Sequence, residues 1–223
     1  MKEQREDLQN RTGGSTQAVT SYKTPASHAT GEIVEKKSRF IADVFPVETE
    51  EEAQARIDEI RKQYHDARHH CHAFVLGERG ELSRSSDNGE PSGTAGRPIL
   101  EVITGASLTN TLIVVTRYFG GVLLGTGGLV RAYTQAAQAG LANTTVITHI
   151  FGKPVIVRAD YSLTGSLEHY FRTNGIDTGT PVYETDVRYD LFLPVADVDG
   201  VINDLTNICS GNIDISVGEA VFR

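Results

Sequence analysis

The sequence has no Trp, a single Met and only two Cys in 223 residues, with aromatics at 7%. Cys71 and Cys209 lie in segments that read as separate domains, which argues against a disulfide framework and for reduced thiols. Long hydrophobic runs are also lacking. Aliphatic stretches such as Leu112 to Val115 and Val122 to Leu124 fall far short of the ~20 residues a membrane helix needs, so no span and no membrane partner are expected. The opening MKEQREDLQNRTGG is charged and polar where a secretory leader needs an apolar stretch of roughly 7 to 15 residues. A cytoplasmic protein is expected. Nor is there an excess of positive charge: the net charge is -8 and the pI near 5.4, which weakens any reading that rests on bulk attraction to nucleic acid or anionic lipid.

What is present is globular composition, 39% hydrophobic and 22% charged, over a length that suits one large domain or two small ones. The charge is uneven. Residues 154 to 223 hold four Arg against eleven Asp and Glu, a net of -7, and the remainder is left at -1. Such asymmetry favours two domains with different surfaces.

Residues 1–28 are rich in Gln, Ser, Thr and Asn without periodic apolar spacing and read as a disordered arm. A first domain over 29–148 opens with two short strands joined near Lys36-Lys37. Thr49 and Glu52 then form a capping-box pair ahead of a helix carrying Ala53, Ile57, Ile60 and Tyr64 at helical spacing. HHCHAFVLG reads as a strand, GERGE as a turn, and SSDNGEPSGTAGRP as a loop after which Thr94 caps a helix. TLIVVTRYF is a buried-strand pattern, and Thr126 a cap for a last helix whose small residues allow close packing on a sheet. The second domain, 153–223, reads strand, helix, two strands, helix, strand, with the junction near 147–153. That order is the ferredoxin-like βαββαβ arrangement, two helices on one face of an antiparallel sheet. The fold class is therefore α+β.

Three places could carry chemistry. Alternation puts His69, Cys71, Ala73 and Val75 on one face of a strand and His70, His72, Phe74 and Leu76 on the other. No CxxC or HExxH motif supplies further ligands, so no metal is expected, and His70 and His72 should meet solvent or a neighbouring element. Asp87 and Glu90 sit in a loop constrained by Gly89, Pro91, Gly93 and Gly96, just before a helix N-terminus whose free amides suit an anion such as phosphate. Third, Arg117 ends a strand and is followed by Gly120-Gly121 and then Gly125-Thr126-Gly127-Gly128, which gathers amides and a guanidinium into a crevice. This is no Walker A loop, and Val130 stands where a dinucleotide fingerprint counted from Gly125 requires Gly, so no cofactor is expected. The alternative is structural, with Arg117 paired to Asp87 or Glu90.

Together ARHHCHAF, SSDNGEPSGTAGRP and RYFGGVLLGTGGLVRAY resemble the IMPACT family, and more closely its bacterial YigZ-like branch. The resemblance implies an N-terminal domain similar to the second domain of ribosomal protein S5. It also implies a ferredoxin-like C-terminal domain similar to one in translocating elongation factors. Carried over motif by motif, it points to His69, Cys71, Asp87, Gly89, Glu90, Pro91, Thr94, Ala95, Gly96, Arg117, Gly120, Gly121 and Gly125. Many members have Asp where this chain has Asn88, which weakens a metal role there.

The expected function is that of a non-enzymatic RNA- or ribosome-associated factor in translation. It would use the Gly-rich crevice and local cations such as Lys36, Lys37, Arg39, Arg84, Arg97 and Arg131. One alternative is a hydrolase or transferase for a phosphorylated or nucleotide-derived small molecule, with Asp87 or Glu90 as base or metal ligand, His69 as proton carrier and Arg117 as anion clamp. Another is a protein-interaction module whose acidic C-terminal domain meets a basic partner.

Overall fold

Two antiparallel sheets organise residues 19–223, the residues that the computed structural model describes. The first holds β2 (Ala29–Glu35), β3 (Ser38–Pro46), β4 (His69–Leu76), β5 (Leu82–Ser86) and β6 (Thr111–Tyr118), in the order β2-β3-β6-β4-β5. Alternation decides which residues each face presents. Phe40, Ala42, Val44, Cys71, Ala73, Ile113 and Val115 pack under α2 (Gly96–Gly105) and α3 (Gly125–Ala142). Phe45, Val47, Phe74, Leu76, Leu112 and Val114 take the opposite face, covered by Ala53, Ile57 and Ile60 of α1 (Glu50–Gln63). The small residues of α3, Ala132, Ala136, Ala137 and Gly140, are buried in its seam. With both faces of the central strands covered, polar side chains reach water along the edge strands β2 and β5 and at the strand ends.

The second sheet is built on β7 (Val146–Ala159), with β8 (Val182–Tyr183), β9 (Val187–Pro194), β10 (Ile213–Val217) and β11 (Val221–Phe222). Its order, β10-β7-β9-β8, is the ferredoxin-like one, and α4 (Thr164–Thr173) and α5 (Val198–Ile208) cover one face through Leu167, Phe171, Val198 and Leu205. β7 runs unbroken through the expected junction; its first residues pair with β1 (Ser21–Pro25) and its later ones with β9 and β10.

β1 corrects the expectation of an arm over 1–28. Residues 21–25 are strand, held by β7 and by Tyr22, which stacks on His149 and tilts against Phe222. Residues 1–18 lie outside the described ones. Three helix starts also differ in detail. Thr49 accepts from the Glu52 amide as expected, but the Glu52 carboxylate takes the Glu48 amide, one residue before the box partner. α2 is not capped by Thr94, whose hydroxyl donates to the Pro91 carbonyl; Asp87 takes its first amides instead. α3 begins at Gly125, with no side-chain cap from Thr126.

Candidate functional site

The loop between β5 and α2 is fixed residue by residue. Asp87 accepts from the Ala95 and Gly96 amides through Oδ1 and from the Gly93 amide through Oδ2, at 2.8–2.9 Å. The anion expected at this helix N-terminus is thus the protein's own carboxylate. Burial works against its charge, yet the three amides prevail and hold Asp87 below the usual carboxylate range. Asn88 bridges to β4: its side-chain oxygen takes the His70 amide at 2.8 Å and its carbonyl faces His69 Nδ1 at 3.0 Å. Gly89 then turns the chain at φ +86, a region that favours glycine, and delivers Glu90 inward.

Glu90 is the centre of a buried chain of polar groups. Its Oε1 accepts from Arg117 Nη1 at 2.6 Å and from the Tyr133 hydroxyl at 2.9 Å, and the Glu90 and Arg117 side chains are 4% and 7% exposed. The Arg117 guanidinium lies over the rings of Phe40 and Phe119, 5.4 and 5.6 Å from their centres, and its Nε has no partner among the described residues. Tyr133 also sits 3.3 Å from Cys71 Sγ, whose thiol donates to the Asp87 carbonyl at 2.9 Å. Burial pushes that thiol up to about 12, and burial with the neighbouring Cys71 and Glu90 pushes the Tyr133 hydroxyl up as well. The thiol therefore stays protonated, unlike a nucleophilic Cys. Arg117 pairs with Glu90 rather than Asp87, which leaves its side chain only 7% exposed.

β4 separates its histidines as expected. His70 is buried at the end of α1 with Nε2 3.2 Å from the Tyr64 carbonyl, and burial lowers both His70 and His72. Among the described residues no three His, Cys, Asp or Glu come together with metal-binding geometry. None of the described helices is long and apolar enough to cross a membrane.

The Gly-rich segment after β6 lies at the same end of the sheet and is open where Arg117 is closed. Gly120 presses on the turn between β2 and β3, where a side chain would overlap the backbone of Lys37 and Ser38, and its amide donates to Ser38 Oγ at 3.1 Å. In that turn Lys36 and Lys37 stand at φ 46 and 67, both left-handed, which costs roughly 1–2 kcal/mol per non-Gly residue. Both are exposed and neither is in an ion pair among the described residues. Beside them Phe119, Val122 and Leu123 are 52%, 42% and 84% exposed. Side chains added at Gly121, Gly125 or Gly127 would enter open space.

Of the expected site residues, His69, Cys71, Asp87, Glu90 and Arg117 are brought into one network, while Gly120, Gly121 and Gly125 line the neighbouring surface. Thr94 serves only its own loop. Other expected cations are engaged: Arg39 by Glu32, Arg84 by Glu50 and Arg97 by Glu101. Sequence reasoning misses Tyr133, whose one signal is a hydroxyl on an otherwise apolar helix stripe, where it must find a partner.

The chain is similar to known proteins. The Impact N-terminal domain model matches residues 36–141, and a domain of unknown function, DUF1949, matches 157–212. IMPACT family member YvyE of Bacillus subtilis is 38% identical over 91% of this chain and 93% of its own. IMPACT family member YigZ of Escherichia coli is 42% identical over 57% of this chain and 63% of its own. A solved structure described as that of a hypothetical protein covers 88% of the chain and 96% of its own, at 31% identity and a TM-score of 0.57. With the Impact N-terminal match falling on the segment that builds both the buried network and the open loop, the chain belongs to the IMPACT family.

Proposed function

We propose that this chain is a non-catalytic, RNA-binding factor associated with the ribosome, and that it docks through the end of its N-terminal sheet. The observation that carries this is the contact of Gly120 with the Lys36-Lys37 turn, which sets two unpaired cations beside an exposed Phe119 and side-chain-free backbone. Lysines suit phosphates, and an exposed ring suits an unpaired base, a stacking contact worth ~1–3 kcal/mol. Glycines at Gly121, Gly125 and Gly127 let a ligand backbone approach closely. Helix propensity alone favours Ala over Gly at Gly127 by about 1 kcal/mol, so its bareness fits a surface that meets something. In this reading the buried Arg117–Glu90 pair holds the loops in place and does not touch the ligand. It also accounts for binding by an acidic protein, because the cations are local and the surplus negative charge lies in 154–223.

The test is fluorescence anisotropy of a labelled single-stranded RNA across a salt series. Wild type should bind with an affinity that falls as salt rises, and Lys36→Ala/Lys37→Ala should weaken binding and lower the salt slope by about 1.4, roughly 0.7 for each phosphate of a single strand left without its lysine. Phe119→Ala should weaken binding without changing the slope. Affinity that is indifferent to salt, or to both substitutions, overturns the reading.

A further inference from the structure

The C-terminal domain carries a second concave surface, remote in sequence from the loops above. Between the end of α4, the start of α5 and the end of β9 lies a cleft of about 640 Å³. Ile176, Phe192, Pro194 and Val201 supply apolar wall, and Asp177, Asp197 and Asp204 are the charged residues that line it, with no Lys or Arg among them. None of the three aspartates is in an ion pair among the described residues. This differs from the open sheet face, where Arg158 pairs with Asp186 and Arg188 with Asp190. Asp204 is held in place by the Tyr170 hydroxyl, which donates to its Oδ2 at 2.7 Å. α4 ends and α5 begins at the cleft, so the negative end of one helix dipole and the positive end of the other face the same space and largely offset each other, which leaves the aspartates as the charge a ligand meets. Phe192 already takes a guanidinium on its ring: Arg223, which is not part of the cleft wall, stands 5.7 Å from the ring centre.

An apolar trough edged by unpaired carboxylates matches a side chain with a long aliphatic stem and a cationic head. We propose that this cleft is the docking site for an arginine-bearing extended segment of a protein partner, with the stem on Ile176, Phe192 and Val201 and the guanidinium at Asp177 and Asp204. The geometry suits a protein segment better than RNA, whose phosphates the aspartates would repel. The proposal is independent of the RNA-binding reading, since it uses no residue of the N-terminal sheet.

The experiment is anisotropy of a short fluorescein-labelled arginine-rich peptide with the full chain, against the same peptide carrying citrulline for arginine. Asp177→Asn/Asp204→Asn should weaken binding at least about tenfold, the scale of one charge-assisted hydrogen bond. Asp214→Asn/Glu219→Gln removes equal charge away from the cleft and should leave affinity within about twofold. Gly200→Phe keeps every carboxylate and places a ring in the trough from a lining position where an added Cβ meets nothing within 4 Å, and should also weaken binding about tenfold. Thermal melts establish that each variant is folded. Equal loss from both charge pairs would reveal a diffuse acidic surface and overturn the site. So would undiminished binding to Gly200→Phe, full binding of the citrulline peptide, or no binding by wild type. RNA binding measured in parallel should be unchanged in all of these variants, which separates failure here from failure of the N-terminal reading.

Discussion

The two halves treat polar groups in opposite ways. The N-terminal body buries Asp43, His70, Thr94, Thr109, Thr111, Thr116 and Arg117 to 6% exposure or less, and ties most of them to loops at the strand ends. The core of the C-terminal sandwich is Val, Leu, Phe and Tyr with Ala159 and Cys209, and its aspartates lie outside. An apolar core specifies a fold with little more than volume and pattern, whereas a buried polar network holds particular backbone segments in particular places. The N-terminal body therefore has positioned loops to use, and the C-terminal sandwich has a charged exterior.

The comparison breaks most sharply at Arg117. Arg117→Ala leaves Glu90 buried without its cation and should cost about 3–5 kcal/mol in urea denaturation, while Arg117→Met/Glu90→Leu should recover most of it. A loss below about 1 kcal/mol would mean that the pair is far wetter than its burial indicates. Next is Gly120→Ala, which forces the loop off the Lys37–Ser38 backbone at a cost of about 1–3 kcal/mol; the same substitution at Gly165, a C-terminal helix position with open space around it, should be neutral or stabilising.

A matched pair of tyrosines sharpens the contrast further. Tyr133→Phe removes a donor from Glu90 and should cost about 1–3 kcal/mol. The Tyr189 hydroxyl, buried in the C-terminal core, makes no close hydrogen bond among the described residues, with only Thr164 and Glu168 nearby, so Tyr189→Phe should lie within about 0.5 kcal/mol of wild type or stabilise.

The smallest effect is pH dependence. Burial lowers His70 and His72 from the ordinary value of 6.5, so above it both are neutral in the folded and unfolded chain alike. As pH falls below 6.5 the unfolded chain takes up protons first, and stability is lost. Melting temperature should drop between about pH 7.5 and 5.5, and His70→Gln should flatten that drop; an unchanged slope would show that another group governs it.

Much of the fold is legible in the sequence because it depends on local pattern. Alternation through Val155, Val157, Val187, Tyr189, Leu191 and Leu193 fixes which sheet face is buried, and the same rule divides His69 and Cys71 from His70 and His72. What is not legible depends on distance. Asp87 caps a helix that begins nine residues later, so residue type alone favours Thr94, the nearer candidate. The choice of Arg117 between Asp87 and Glu90 rests on the three amides that already engage Asp87. β1 is hidden because its partner is the remote start of β7 and Ser21 to Pro25 has no apolar alternation of its own. The Lys36-Lys37 turn is readable as a turn, but its contact with Gly120 links two segments that no spacing rule connects.

The most direct measurement is sedimentation of the purified full chain with ribosomes across a salt series, comparing wild type, Lys36→Ala/Lys37→Ala and Arg117→Met/Glu90→Leu. Salt-sensitive cosedimentation of wild type is expected, abolished in the lysine variant and kept in the folded core variant, because the lysines touch the ligand and the buried pair only shapes the loops. Cosedimentation that survives removal of both lysines, or no association of wild type at low salt, would contradict the account.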